Sequence, residues 1–219
     1  MSKQSGAKRK ARNPLVEAVA AYVVFCCLSI LSRFVAPLFL VVVLSGITFP
    51  LVWAKLTKDW SAIGFTRQKR GQALLWGLGA GLFLMVVIWL SSDRRQTGPL
   101  FWVQLAVAIP VWILIMSPFQ EFFFRGWLQP RFQDVLGLWP GLIVTSTSFA
   151  LWHLCPAFEE AQIVPIASGS GMLFTTAMGM VYGYVFQRTR NIVAPWVAHV
   201  LAGLTLVLTG AMTFVQYVE

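Results

Sequence analysis

Glu121, Arg125, His153 and His199 stand inside long apolar runs of this chain, the first two within SPFQEFFFRGWLQP and the others as its only histidines. An ionisable side chain in hydrocarbon costs several kcal/mol unless it pairs or faces water, so each marks a place where chemistry is expected. Two imidazoles and a carboxylate make a hydrolytic zinc set, with water in the fourth position and His153 and His199 as ligands. The same residues, drawn from three helices, equally suit a metal-free mechanism in which a glutamate activates the water. Neither H-E-x-x-H nor another compact ligand motif is present, and both chemistries stay open at the level of the sequence.

Spacing says which of these groups share a face. Glu121 and Arg125 are four apart on a helix and are placed to form an ion pair, which on its own would do no more than hold that helix. Gln120 is turned by about 100° from Glu121 and presents to another part of the bundle. Phe149 lies four residues before His153, and Gly203 four after His199, so each histidine has a defined neighbour on its own face. Cys155 is two residues from His153 and reads as structural. Glu159 and Glu160 follow Pro156 in an outside loop, where they read as solvated.

Something must hold these groups in the membrane. The chain has 219 residues, of which 58% are hydrophobic and 11% charged, against about 25% charged in a soluble domain. A water-soluble globule is excluded. Apolar runs at Pro14–Leu31 and at roughly 35–54, 72–91, 100–130, 138–155, 166–187 and 191–216 are each long enough to cross a bilayer. The expected fold is an all-α polytopic transmembrane bundle of about seven spans. Residues 1–13 form a basic tail and 14–219 a single domain, with the motif-bearing core at about 100–216. Gly77 with Gly81 and Gly179 with Gly183 are small residues four apart and are expected to let helices pack closely.

Net charge is +9, from 17 Lys and Arg against 8 Asp and Glu. An N-terminus in the cytoplasm puts 14 of the 17 basic residues inside and only Arg33, Arg94 and Arg95 outside, as the positive-inside rule requires. The charge is a topology signal, and nucleic acid is not an expected partner. The lipid bilayer is. A short bundle with a brief basic tail suits a prokaryotic inner (plasma) membrane. The loop from Lys55 to Gly71 carries Trp60, Ile63 and Phe65 and is expected to lie partly along the membrane surface. Cys26, Cys27 and Cys155 have no spacing that frames a disulfide. No inverted repeat or pair of broken helices supports a transporter.

The ordered segments Q-E-F-F-F-R (Gln120 to Arg125), F-A-L-W-H (Phe149 to His153) and His199 resemble the three motifs of the CPBP family, which contains type II CAAX prenyl endopeptidases and bacteriocin-processing or immunity proteins. The resemblance runs from the fourth apolar run to the seventh. It implies an intramembrane endopeptidase acting on a membrane-associated peptide or protein, such as a CAAX-like tail, a leader or a sorting tag, with no obligatory cofactor. It further implies that the first glutamate of the first motif and the second-motif histidine activate a water, with His153 helping to position it, and that His199 faces the developing oxyanion. Arg125 would order the first motif and Phe149 would pack the pocket. By the depth of each residue along a straight helix, Glu121, His153 and His199 lie about 15, 22 and 12 Å from the cytoplasmic ends, all within the hydrocarbon slab.

Two positions depart from the family pattern. Gln120 stands where the family commonly has its first glutamate, and an amide cannot accept a proton as a general base. Gly203 stands where it commonly has asparagine, and glycine supplies no side-chain donor to an oxyanion. The residues therefore leave two functions in play: an active protease that relies on Glu121, or a catalytically impaired member that binds a peptide as an immunity or adaptor protein.

Overall fold

The computed structural model describes residues 13–92, 98, 100–156 and 168–214. The basic tail up to Arg12, the outside arginines Arg94 and Arg95, and Glu159 and Glu160 lie outside the described residues. Seven helices follow in order: α1 Pro14–Leu31, α2 Pro37–Thr57, α3 Arg70–Leu90, α4 Phe101–Leu136, α5 Leu138–Trp152, α6 Gly169–Thr189 and α7 Val193–Leu208. No strand occurs among the described residues, and the bundle is all-α as expected. The first four helices are long and apolar enough to cross a membrane, so a count of seven full spans is generous. At 1.5 Å per residue, the 15 residues of α5 and the 16 of α7 reach only about 22–24 Å. Helix α6 has the length, but Ser170, Thr175, Thr176 and Gln187 dilute its apolar character.

Local chemistry explains the helix boundaries. Asn13 caps α1 by accepting the Leu15 N–H at 3.0 Å, and Pro14 stands at the first helical position, where its missing N–H is harmless. Helix α4 is not uniform: it opens into π turns at Trp112–Met116 and Phe122–Leu128. Each π turn ends just before a residue that precedes proline, Ser117 before Pro118 and Gln129 before Pro130. A proline in a helix removes one N–H and presses on the carbonyl four residues back, and the widened turn relieves both.

The centre of the bundle is α4. Every residue from Met116 to Gln129 is buried, which is where a helix apolar on all sides belongs. Helices α1, α2 and α3 expose Val16, Val24, Leu40, Leu56, Leu75 and Leu90 on the outside, as surfaces turned to lipid do. Three polar rungs join α4 to α6: Arg125 Nη2 donates to Gly179 O at 3.2 Å, Gln129 Nε2 to Gly183 O at 3.0 Å, and Gln133 Nε2 to Gln187 Oε1 at 3.1 Å. Both helices advance by four residues per rung, so they run alongside each other in constant register. Glu17 of α1 is answered by Arg131 of α4 at 3.8 Å.

The glycines expected to pack do so. A Cβ on Gly77 would stand 2.6 Å from Ala194 O, and one on Gly179 would stand 3.2 Å from Ser146 Cβ. Gly77→Leu will therefore push α3 off α7 and lower stability by about 1–3 kcal/mol. Thermal unfolding in detergent reads this directly, and an unchanged midpoint would show that α3 can shift without cost.

The Lys55–Gly71 loop is tied to protein more than to the membrane surface. Trp60 and Phe65 are exposed, but Ile63 between them is fully buried. Ile192 N–H donates to Gly64 O at 2.9 Å, and Asn191 Nδ2 donates to Thr66 O and Gln68 O at 3.2 and 2.8 Å. The loop thus closes the end of the bundle from which α7 starts.

Candidate active site

Helices α4, α5, α6 and α7 each bring one part of the site. Glu121 and Arg125, one turn apart on α4, are fully buried, and Glu121 Oε2 lies 3.5 Å from Arg125 Nε. The expected ion pair is therefore present. The other carboxylate oxygen, Oε1, accepts a hydrogen bond from Nδ1 of His199 on α7 at 2.7 Å. This contact joins residues 78 positions apart, and it brings two of the depths read from the sequence to one level.

Aromatic rings complete the enclosure. The Tyr182 ring of α6 stacks on His199 with centroids 4.6 Å apart and planes 16° apart. Arg125 lies over the Phe149 ring at 4.5 Å and also donates to Gly179 O, so its charge is met by a carboxylate, a carbonyl and a π face. Phe149 is the hub: its ring lies 4.6 Å from His153 and 6.0 Å from His199, centroid to centroid. It thus packs between the two histidines.

His153 is placed differently from a mid-helix residue. Helix α5 ends at Trp152, and His153 is its C-cap, because Pro156 disfavours helical backbone before it. Its Nδ1 lies 2.7 Å from Phe149 O. A carbonyl only accepts, so Nδ1 carries the hydrogen and, in the neutral ring, Nε2 carries the lone pair. The segment is pinned from α1 and its following turn. Arg33 Nε donates to Cys155 O at 2.7 Å and Nη2 to Leu154 O, while Trp152 Nε1 donates to Ser29 Oγ at 2.8 Å. Arg33 thus secures the turn that carries His153.

His199 obeys the same rule. With Nδ1–H given to the carboxylate, Nε2 is left to meet a water or a substrate. In that state Glu121 and Arg125 cancel and the imidazole is neutral, the arrangement a buried site tolerates best. Both histidines therefore engage protein through Nδ1. As zinc ligands they would be two. Among the described residues no group of three or more His, Cys, Asp and Glu side chains is gathered to hold a metal ion, against three protein ligands in hydrolytic zinc sites.

Gln120 is buried beside this cluster, and its Oε1 has no hydrogen-bond partner among the described residues. Gly203 is next to the cluster in a way the sequence did not reveal. The indole of Trp112 covers it so closely that a Cβ there would overlap ring atoms Cδ2, Cε3 and Cε2. That indole also lies 5.6 Å from the His199 ring.

Residues 100–205 match the family model described as type II CAAX prenyl endopeptidase Rce1-like. Over that segment the chain is similar to the Rce1-like family. The segment contains Gln120, Glu121, Arg125, Phe149, His153, His199 and Gly203, and it bears out the CPBP resemblance carried by those motifs. Its four long apolar helices make the chain an integral membrane protein, and over residues 100–205 it is similar to a family of membrane proteases. Neither a curated protein nor a solved structure matches the chain. Sequence reasoning missed Trp112 and Tyr182 as neighbours of His199. The signal for Tyr182 was a polar-tipped aromatic inside an apolar helix, whereas a tryptophan in a lipid-facing run carries no signal of its own.

Proposed function

We propose that the chain is an active intramembrane endopeptidase in which the Glu121–His199 pair accepts the proton of the attacking water. The observation that carries this is the 2.7 Å hydrogen bond from His199 Nδ1 to Glu121 Oε1 inside the protein. A carboxylate that holds Nδ1–H fixes the tautomer, aims Nε2 at the reacting water and stabilises the imidazolium that forms when the proton arrives. His153, with Nδ1 given to Phe149 O, lies on the other side of Phe149 and helps to position the same water. Arg125, 3.5 Å from Glu121 Oε2, holds that carboxylate in place. The cycle uses these groups alone and requires no metal ion.

The substrate class is a membrane-associated peptide or protein: a CAAX-like tail, a leader or a sorting tag. The N-terminus faces the cytoplasm, and the membrane is the prokaryotic inner membrane. A second reading is favoured by the Gln120 amide, which sits in the first-motif position and cannot accept a proton as a general base: the chain would then bind such a peptide without cutting it.

Comparison of peptide termini in membranes from cells expressing the native chain and cells expressing His199→Ala, at matched levels, tests both. New termini appear only with the native chain if the protease reading is correct, and their sequence names the substrate. Coincident profiles would sink it. Gln120→Glu then decides between a stalled enzyme, which would begin to cut, and the binding protein, which would stay silent.

A further inference from the structure

We propose that the indole N–H of Trp112 is the hydrogen-bond donor to the carbonyl oxygen of the bond that is cut, which makes Trp112 a catalytic residue. The inference rests on the protease reading above. Trp112 is 3% exposed, and its Nε1 is buried with no hydrogen-bond partner among the described residues. A buried N–H without an acceptor is costly and rare, and where one persists an absent partner is the first explanation to test. The absent partner must be an acceptor, since the indole N–H only donates.

The position of the ring says where that acceptor sits. Its centroid is 5.6 Å from that of His199, and its Cε2 atom, which is bonded to Nε1, lies against Gly203. His199 and Gly203 are one turn apart on α7, so the donor edge lies across the face of α7 that carries the proposed proton acceptor. The first π turn of α4 puts it there. Ser117 N–H donates to Trp112 O, five residues back, so Trp112 falls in line with Ser117, Glu121 and Arg125. A plain α-turn would have brought Ile113 into that row instead. Gly203 supplies the space, since any side chain there would collide with the indole.

In the reaction, water oxygen forms a bond to the carbonyl carbon, and the C=O π pair moves onto oxygen, where the Trp112 N–H receives the new charge. The water proton passes to the Glu121–His199 pair. Collapse restores C=O, breaks the C–N bond and returns that proton to the leaving nitrogen.

The test measures the rate at which the termini released by the native chain appear in membranes expressing Trp112→Phe or His199→Ala at matched levels. A second Trp112 variant carries β-(3-benzothienyl)alanine, which keeps the bicyclic shape and lacks only the N–H. The expected result for both Trp112 variants is a fall of about a hundred- to a thousand-fold, with the unfolding midpoint of the benzothienyl variant unchanged. Native-like cleavage by the benzothienyl variant would overturn the role of Trp112 while leaving the protease reading intact. Identical profiles for the native chain and His199→Ala would overturn that reading and this inference together.

Discussion

Glu121→Leu will destabilise the protein by about 3–5 kcal/mol, because it leaves Arg125 charged, enclosed and without its counter-ion. Arg125 is 0% exposed, so water cannot take over the lost carboxylate. Around the guanidinium there remain the Gly179 carbonyl and the rings of Phe124, Phe149 and Tyr182. The same change removes the acceptor of the His199 Nδ1 proton and frees the ring to turn. Glu121→Gln separates the two effects. It keeps the size and one acceptor oxygen, so the protein inserts and folds with a smaller loss, yet the amide cannot stabilise an imidazolium. Cleavage should fall by about 10⁴-fold, the magnitude seen when a carboxylate that orients a catalytic imidazole becomes an amide. Unfolding in detergent and the rate of terminus release read the two quantities separately. If Glu121→Leu unfolds at the native midpoint, Arg125 has found another partner and the buried pair does not organise the site. If Glu121→Gln cleaves at the native rate, the proton acceptor lies elsewhere.

The helices were legible in the sequence because their signal is apolar length, which survives without tertiary information. Pro14–Leu31 agrees at both ends, and the other runs agree to within a few residues except at 130, where α4 continues to Leu136, and at 216, where α7 stops at Leu208. The Glu121–Arg125 pair was legible for the same reason, since i and i+4 on one helix is local geometry. His199 as the partner of Glu121 was not, because depth along straight, independent helices cannot say which faces meet. The two π turns of α4 change the register of its polar row, and they depend on hydrogen bonds between residues five apart, which leave no period in the sequence. Pro118 and Pro130 were the visible trace of them. His153 was placed inside a span, but tertiary contacts from Arg33 and Ser29 hold it at a helix end instead.

Gly203 shows why a missing motif residue need not mean a missing function. Read alone, it is an asparagine lost; in the bundle, it is the space that an indole fills. Gly203→Asn should therefore fail to repair the family pattern. Its Cβ would overlap the Trp112 ring, so either the indole leaves its place beside His199 or α4 and α7 part, at a cost of about 1–3 kcal/mol and most of the cleavage rate. Trp112→Ala alone empties the same volume and should cost about 3–5 kcal/mol. Combined, the two changes relieve each other: the double variant should be more stable than the sum of the singles by about 1 kcal/mol or more. It should also cut faster than Trp112→Ala, because the new amide returns a donor near the place the indole N–H had held. Unfolding midpoints of the four proteins in one detergent close the cycle. Strict additivity would mean that positions 112 and 203 do not compete for one volume, and the reading of Gly203 as the seat of Trp112 would fall with it.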